Sequence, residues 1–178
     1  MRVESQGMGK RIALLADGSN SDMYASFCAV KLARRMEAKL LSILLMPEKQ
    51  GKTREQDSER WQSFSPSEFL YLISSLGNFE GVGVSYHLID EKDEDNLVEF
   101  LVSNKVSCMI MGTQDHQDFE EKQKWLLGLV QKIYRNRHWY LGELTVFLAK
   151  SWSEKDFRKV LKQLSSDCGL YPVEMVSA

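Results

Sequence analysis

The stretch Arg11-Ile12-Ala13-Leu14-Leu15-Ala16-Asp17-Gly18-Ser19 decides the fold. Its apolar run ends abruptly in an acid, a glycine and a hydroxyl, the pattern of a buried strand feeding a loop and then a helix N-terminus. In open α/β sheets, ligands bind in the crevice beyond the C-terminal ends of such strands. Asp17 therefore stands at the edge of any small-molecule site the chain carries.

Beyond Ser19 the period changes. Asn20 and Ser21 offer N-cap oxygens and Asp22 lies near the positive end of a helix dipole. Ala25, Cys28, Ala29, Leu32, Ala33 and Met36 recur at helical spacing, a face of mostly small residues suited to lying close on a sheet. Leu40 to Met46 is a nearly continuous apolar run stopped by Pro47, which suits a strand buried on both faces. Strand, helix and strand at this spacing form a βαβ unit with parallel strands.

Residues 48–64 are polar and unpatterned, which predicts an exposed loop. Ser65-Pro66-Ser67-Glu68 then starts a helix with a capping box and proline at its first position. Phe69, Leu70, Ile73 and Leu76 form its buried face, and Gly77-Asn78 is its expected stop. A third strand follows from Val82 to Ile89, and a short helix from Asp93 to Asn104 with Leu97, Val98, Phe100 and Leu101 inward. The fourth strand runs from Val106 to Thr113. Residues 114–124 read as a polar loop and 125–136 as a helix carrying Leu126, Leu127, Leu129, Val130, Ile133 and Tyr134. A fifth strand from Glu143 to Lys150 is built on Leu144, Val146, Phe147 and Leu148. The alternation of strands and helices predicts a doubly wound α/β fold with a parallel sheet and helices on both faces.

The domain organisation expected is a flexible lead-in over 1–9, one α/β domain over 10–150 and a helical extension over 151–178. In the extension, Ser153 can cap a helix whose stripe is Phe157, Val160, Leu161 and Leu164, with Gly169 as its stop. A chain of 178 residues can bury a core without staples. With 23 basic against 25 acidic residues and no Lys/Arg block, it lacks the basic footprint of a nucleic-acid binder. Cys28, Cys108 and Cys168 lie far apart without metal-ligand or redox-pair spacing, as expected of reduced thiols in a cytoplasmic protein. No apolar run reaches transmembrane length, so no membrane insertion is expected.

Asp17-Gly18-Ser19 after the first strand, a second strand ending in a proline-bounded loop, Met111-Gly112-Thr113 after the fourth, and the Leu126-Leu127-Gly128 step resemble a universal stress protein domain over residues 10–150. The resemblance implies five parallel strands in the order 3-2-1-4-5, an α/β domain of the UspA-like, Rossmann-like type, and a cytoplasmic protein that forms dimers. Nucleotide-binding members carry a glycine, two residues, a second glycine, nine residues, then a glycine followed by Ser or Thr. Such glycines let backbone N–H groups reach phosphate. This chain supplies Gly112, but Asp115 stands at the second position. The later glycine is Gly128, three residues late, with Leu129 in place of the hydroxyl. Asp115, Asp118, Glu120 and Glu121 would repel phosphate unless a cation such as Mg²⁺ intervened.

The expected cofactor site is therefore a degenerate adenine-nucleotide crevice made of Leu15, Ala16, Asp17, Met111, Gly112, Thr113 and Gly128, holding at most a weakly bound adenine nucleotide. Asp17 also reads as a turn cap and Gly112 as a turn residue. His87, His116 and His138 show no spacing that pairs them with each other or with a nucleophile, and no metal site or catalytic set is expected. The functional expectation is a non-enzymatic, regulatory dimer, paired through the Glu143 to Lys150 strand and binding a protein partner. The alternative is an ATP- or AMP-binding stress regulator or weak ATP hydrolase with an unusual phosphate loop.

Overall fold

The structure is a computed structural model that describes residues 9–46, 65–136 and 143–150. Its elements are β1 (Arg11–Ala16), α1 (Ser21–Met36), β2 (Lys39–Met46), α2 (Pro66–Glu80), β3 (Val84–Asp90), α3 (Glu94–Ser103), β4 (Cys108–Thr113), α4 (His116–Arg135) and β5 (Thr145–Lys150). The strands form one five-stranded sheet in the order β3-β2-β1-β4-β5, every neighbouring pair parallel. This is the doubly wound arrangement expected from the sequence.

β1 lies at the centre, with Leu14 level with Ser42 on β2 and Ile110 on β4. Successive side chains on a strand point to opposite faces, and the apolar run divides accordingly. Ile12, Leu14 and Ala16 pack with α1 and α2, whereas Ala13 and Leu15 pack with α3 and α4. The sheet is thus sandwiched between two cores, which is why β1, β2 and β4 had to be apolar on both faces. Full burial of a Leu or Ile side chain contributes about 1.5–3 kcal/mol, so a charge at Leu14 would break the layer. α1 lies close because Ala25, Ala29 and Ala33 face the sheet, each 0% exposed.

Some local expectations change. Asn20 precedes α1 in helical geometry without a side-chain cap bond; the Asp22 carboxylate ties down the loop instead. The capping box of α2 forms, with the Glu68 N–H donating to Ser65 Oγ at 3.3 Å and the Ser65 N–H donating to Glu68 Oε2 at 2.6 Å. That helix does not stop at Gly77-Asn78 but continues to Glu80, ending at left-handed Gly81 (φ 68°). Gly77 instead gives room, because a Cβ there would lie 2.5 Å from Val84 Cγ2.

The larger correction is in α4, which begins at His116, so most of the stretch expected to be a polar loop is helix. The Asp115 side chain accepts the Asp118 N–H and caps it. Those first turns are polar because little of them is covered, and amphipathic spacing alone could not reveal them. Leu127 and Tyr134, expected on the buried face, are exposed, while Leu126, Leu129 and Ile133 are buried.

The lead-in (residues 1–8), the loop at 48–64, His138, Cys168 and the C-terminal helical extension lie outside the described residues. Among the described residues, no helix is long and apolar enough to cross a membrane.

Candidate functional site

β1 and β4 are neighbours, yet the chain leaves β1 toward the α1 face and β4 toward the α4 face. The two loops part at the C-terminal ends of the strands and leave a crevice, the topological switch point of the sheet. Gly18 turns the first loop at φ 86°, a conformation that favours glycine. Gly112, the penultimate residue of β4, lets the N-terminus of α1 close onto the strand: a Cβ there would lie 2.5 Å from the Ser21 carbonyl oxygen.

In the first loop, Asp17 Oδ1 accepts the Ser19 N–H at 3.0 Å and Asp22 Oδ2 accepts the Gly18 N–H at 2.7 Å. In the second, Asp118 Oδ2 accepts the Gln114 N–H at 2.7 Å and Asp115 Oδ1 accepts the Asp118 N–H at 2.9 Å. Each loop therefore turns backbone donors toward carboxylates of the chain itself. Such donors are the groups that hold a phosphate in an anion-binding loop.

Lys122 of α4 joins the two loops. Its ammonium lies 2.7 Å from the Gly112 carbonyl oxygen, 3.1 Å from Asp17 Oδ2 and 3.2 Å from Asp118 Oδ2, with Ser19 Oγ at 3.4 Å. The side chain is 9% exposed. Four oxygens thus surround the three N–H donors that a lysine ammonium carries. The Ser19 hydroxyl also pairs with that of Ser21 at 2.7 Å.

Asp22 is 0% exposed, and its second oxygen has no hydrogen-bond partner among the described residues. Burial pushes its carboxyl well above the ordinary range, and the nearby Asp17 charge adds to the rise; the Gly18 N–H and Lys122 oppose it.

Of the expected site residues, Asp17, Gly112 and Thr113 stand at the crevice. Asp17 is both the turn residue of the plainer reading and an ion-pair partner. Gly112 lies in a strand and is a point of close packing, not a turn residue. Thr113 is buried, and its hydroxyl has no hydrogen-bond partner among the described residues. Leu15, Ala16 and Met111 are covered by the two cores, at 0%, 0% and 4% exposure. Gly128 falls within α4 on an exposed position, six residues beyond Lys122, with open space where its Cβ would be. His116 is exposed at the start of α4 beside Glu120, and the His87 ring packs tilted against that of Phe100 with centroids 4.4 Å apart. Among the described residues, no group of three or more His, Cys, Asp or Glu side chains could hold a metal ion.

The sequence reading missed Lys122 altogether, and took Asp22 only as a charge at a helix dipole and Asp118 only as a loop acid opposing phosphate. One signal was available for Lys122: it occupies a place in the stripe Lys122, Leu126, Leu129 and Ile133, all buried. A lysine in a core register needs a partner. That clue is invisible while its segment reads as loop.

No protein-family model matches the chain, and no curated relative does. Solved structures do match. A protein of the universal stress protein family from Burkholderia pseudomallei superposes with a TM-score of 0.52 at 16% identity, covering 82% of this chain and 98% of that one. A universal stress protein in complex with cAMP superposes with a TM-score of 0.51 at 16% identity, covering 79% of this chain and 96% of that one. The chain has the universal stress protein fold.

Proposed function

We propose that this chain is a non-enzymatic regulatory protein of the universal stress protein type whose nucleotide crevice is closed from within by Lys122. The observation that supports this reading most strongly is the Lys122 ammonium at 2.7–3.2 Å from Gly112, Asp17 and Asp118. A ligand phosphate would have to displace that ammonium from two carboxylates, and would meet their charge with Asp115 and Glu121 nearby in sequence. The loop donors it needs are already bonded to carboxylates. Regulation on this reading comes from binding a protein partner in the cytoplasm, as a homodimer paired through the β5 edge of the sheet.

Titration calorimetry with Mg·ATP, AMP and cAMP tests the closed crevice. The expected result is no binding tighter than millimolar for any of the three; low-micromolar affinity abolished by Asp17→Ala overturns it. Light scattering at micromolar concentration tests the pairing, and a monomer mass refutes the dimer.

A second reading is favoured by the cAMP complex of one structural neighbour: a nucleotide-responsive regulator, or weak ATP hydrolase, in which an adenine ring enters beside Asp17 and Lys122 swings out to meet phosphate. The same titration separates the two, since Lys122→Met weakens binding on this reading and strengthens nothing.

A further inference from the structure

We propose that the C-terminal segment after Ser153 folds back as a helix along β5 and docks its Phe157, Val160, Leu161 and Leu164 stripe in the open groove between β5 and α1. The groove follows from unequal cover on β5. Val146 and Leu148 pack into the core under α3 and α4, whereas Ala149 packs on the opposite side. By strand alternation Phe147 shares that opposite side, where it is 47% exposed.

The other wall is α1. Lys31 and Arg34 reach Glu80 of α2, which fixes one flank of the helix toward α2. Cys28 and Leu32, one turn apart, lie on the flank away from Arg34, and α1 contacts β5 on that side of the sheet. Both are half-buried. An aromatic ring on the strand and an apolar flank on the helix thus face a place where no described element sits.

The occupant is argued from where the chain goes next. β5 ends at Lys150, at the rim of this groove, and only Ser151 and Trp152 precede the capping residue Ser153. Connections of two to six residues join a strand to the helix beside it, and consecutive elements are most often neighbours. A helix from Ser153 to the stop at Gly169 is roughly 22 Å long, and the six residues of β5 span roughly 20 Å. Its stripe, at steps of three and four, makes one apolar face. The helix lies on the face of β5 and leaves its hydrogen-bonding edge free.

Limited trypsin digestion of the full chain tests this, read by mass spectrometry at Lys155, Arg158, Lys159 and Lys162. Phe147→Asp, at an exposed position, and Leu161→Asp, outside the α/β domain, are each expected to speed cleavage at these sites at least tenfold and to speed thiol labelling of Cys28. Far-UV circular dichroism confirms that the domain stays folded. Cleavage of the unaltered chain as fast as the variants overturns the proposal. So does acceleration by Leu161→Asp but not Phe147→Asp, which places the segment elsewhere. Protection that disappears on dilution to nanomolar concentration also overturns it, because the occupant is then a second copy.

Discussion

Replacing Lys122 with methionine keeps most of the side chain's length and removes its charge. At 3.1 Å from Asp17 Oδ2 and 3.2 Å from Asp118 Oδ2, each attraction is worth about 5 kcal/mol gross at an effective dielectric near 20. Desolvation of a 9% exposed side chain offsets several kcal/mol of that. The two carboxylates are 24% and 26% exposed, so water takes over part of the lost partner's role. The Gly112 carbonyl also loses its donor. The net expectation is a loss of about 2–4 kcal/mol, near the lower end for breaking a buried ion pair. Urea denaturation followed by circular dichroism reads this as a midpoint lowered by about 1–2 M, for a slope of about 2 kcal/mol/M. A double-mutant cycle with Asp118→Asn, which retains an acceptor for the Gln114 N–H, should show coupling of at least about 1 kcal/mol. A cost below about 0.5 kcal/mol, the range of ordinary surface changes, or strict additivity in the cycle would refute the account of Lys122 as the bond between the two loops.

Gly112→Ala sets a methyl 2.5 Å from the Ser21 backbone oxygen and should lower stability by about 1–3 kcal/mol in the same urea assay. Gly128→Ala meets open space within a helix and should instead stabilise by up to about 1 kcal/mol, while leaving calorimetric titrations with adenine nucleotides unchanged. The raised carboxyl of Asp22 predicts a pH slope. Between its unfolded value and its higher folded value the folded state holds the extra proton, so stability is fully present below that window and falls as pH rises through it. Asp22→Asn, which can still accept the Gly18 N–H, should flatten that slope in denaturation midpoints measured across pH; an unchanged slope assigns it to other groups. Glu80 behaves oppositely: Lys31 and then Arg34 hold its carboxyl below the ordinary range against the opposing effect of burial. The stability it adds is lost as pH falls through its lowered folded value, and Glu80→Gln should reduce that acid sensitivity.

The sequence by itself determined the alternation of elements and the sheet's two-sided burial. Runs such as Ile12–Ala16 and Leu40–Met46 are apolar at every or nearly every position, and only a strand covered on both faces satisfies that pattern. It also determined the local starts whose chemistry is contained within four residues, as at Ser65 to Glu68. Tertiary structure alone decided the contents of the crevice. Lys122 is 105 residues from Asp17 in the chain, and each is an ordinary polar residue until the β1–β4 pairing brings their loops together. The pairing of Lys31 and Arg34 with Glu80 is hidden in the same way, across more than forty residues. Gly77 and Gly112 read locally as stops or turns, because the need for a missing Cβ arises only when another element arrives at 2.5 Å. Periodicity reports which face of an element is buried; which charge meets which is fixed only by the packing of elements distant in sequence.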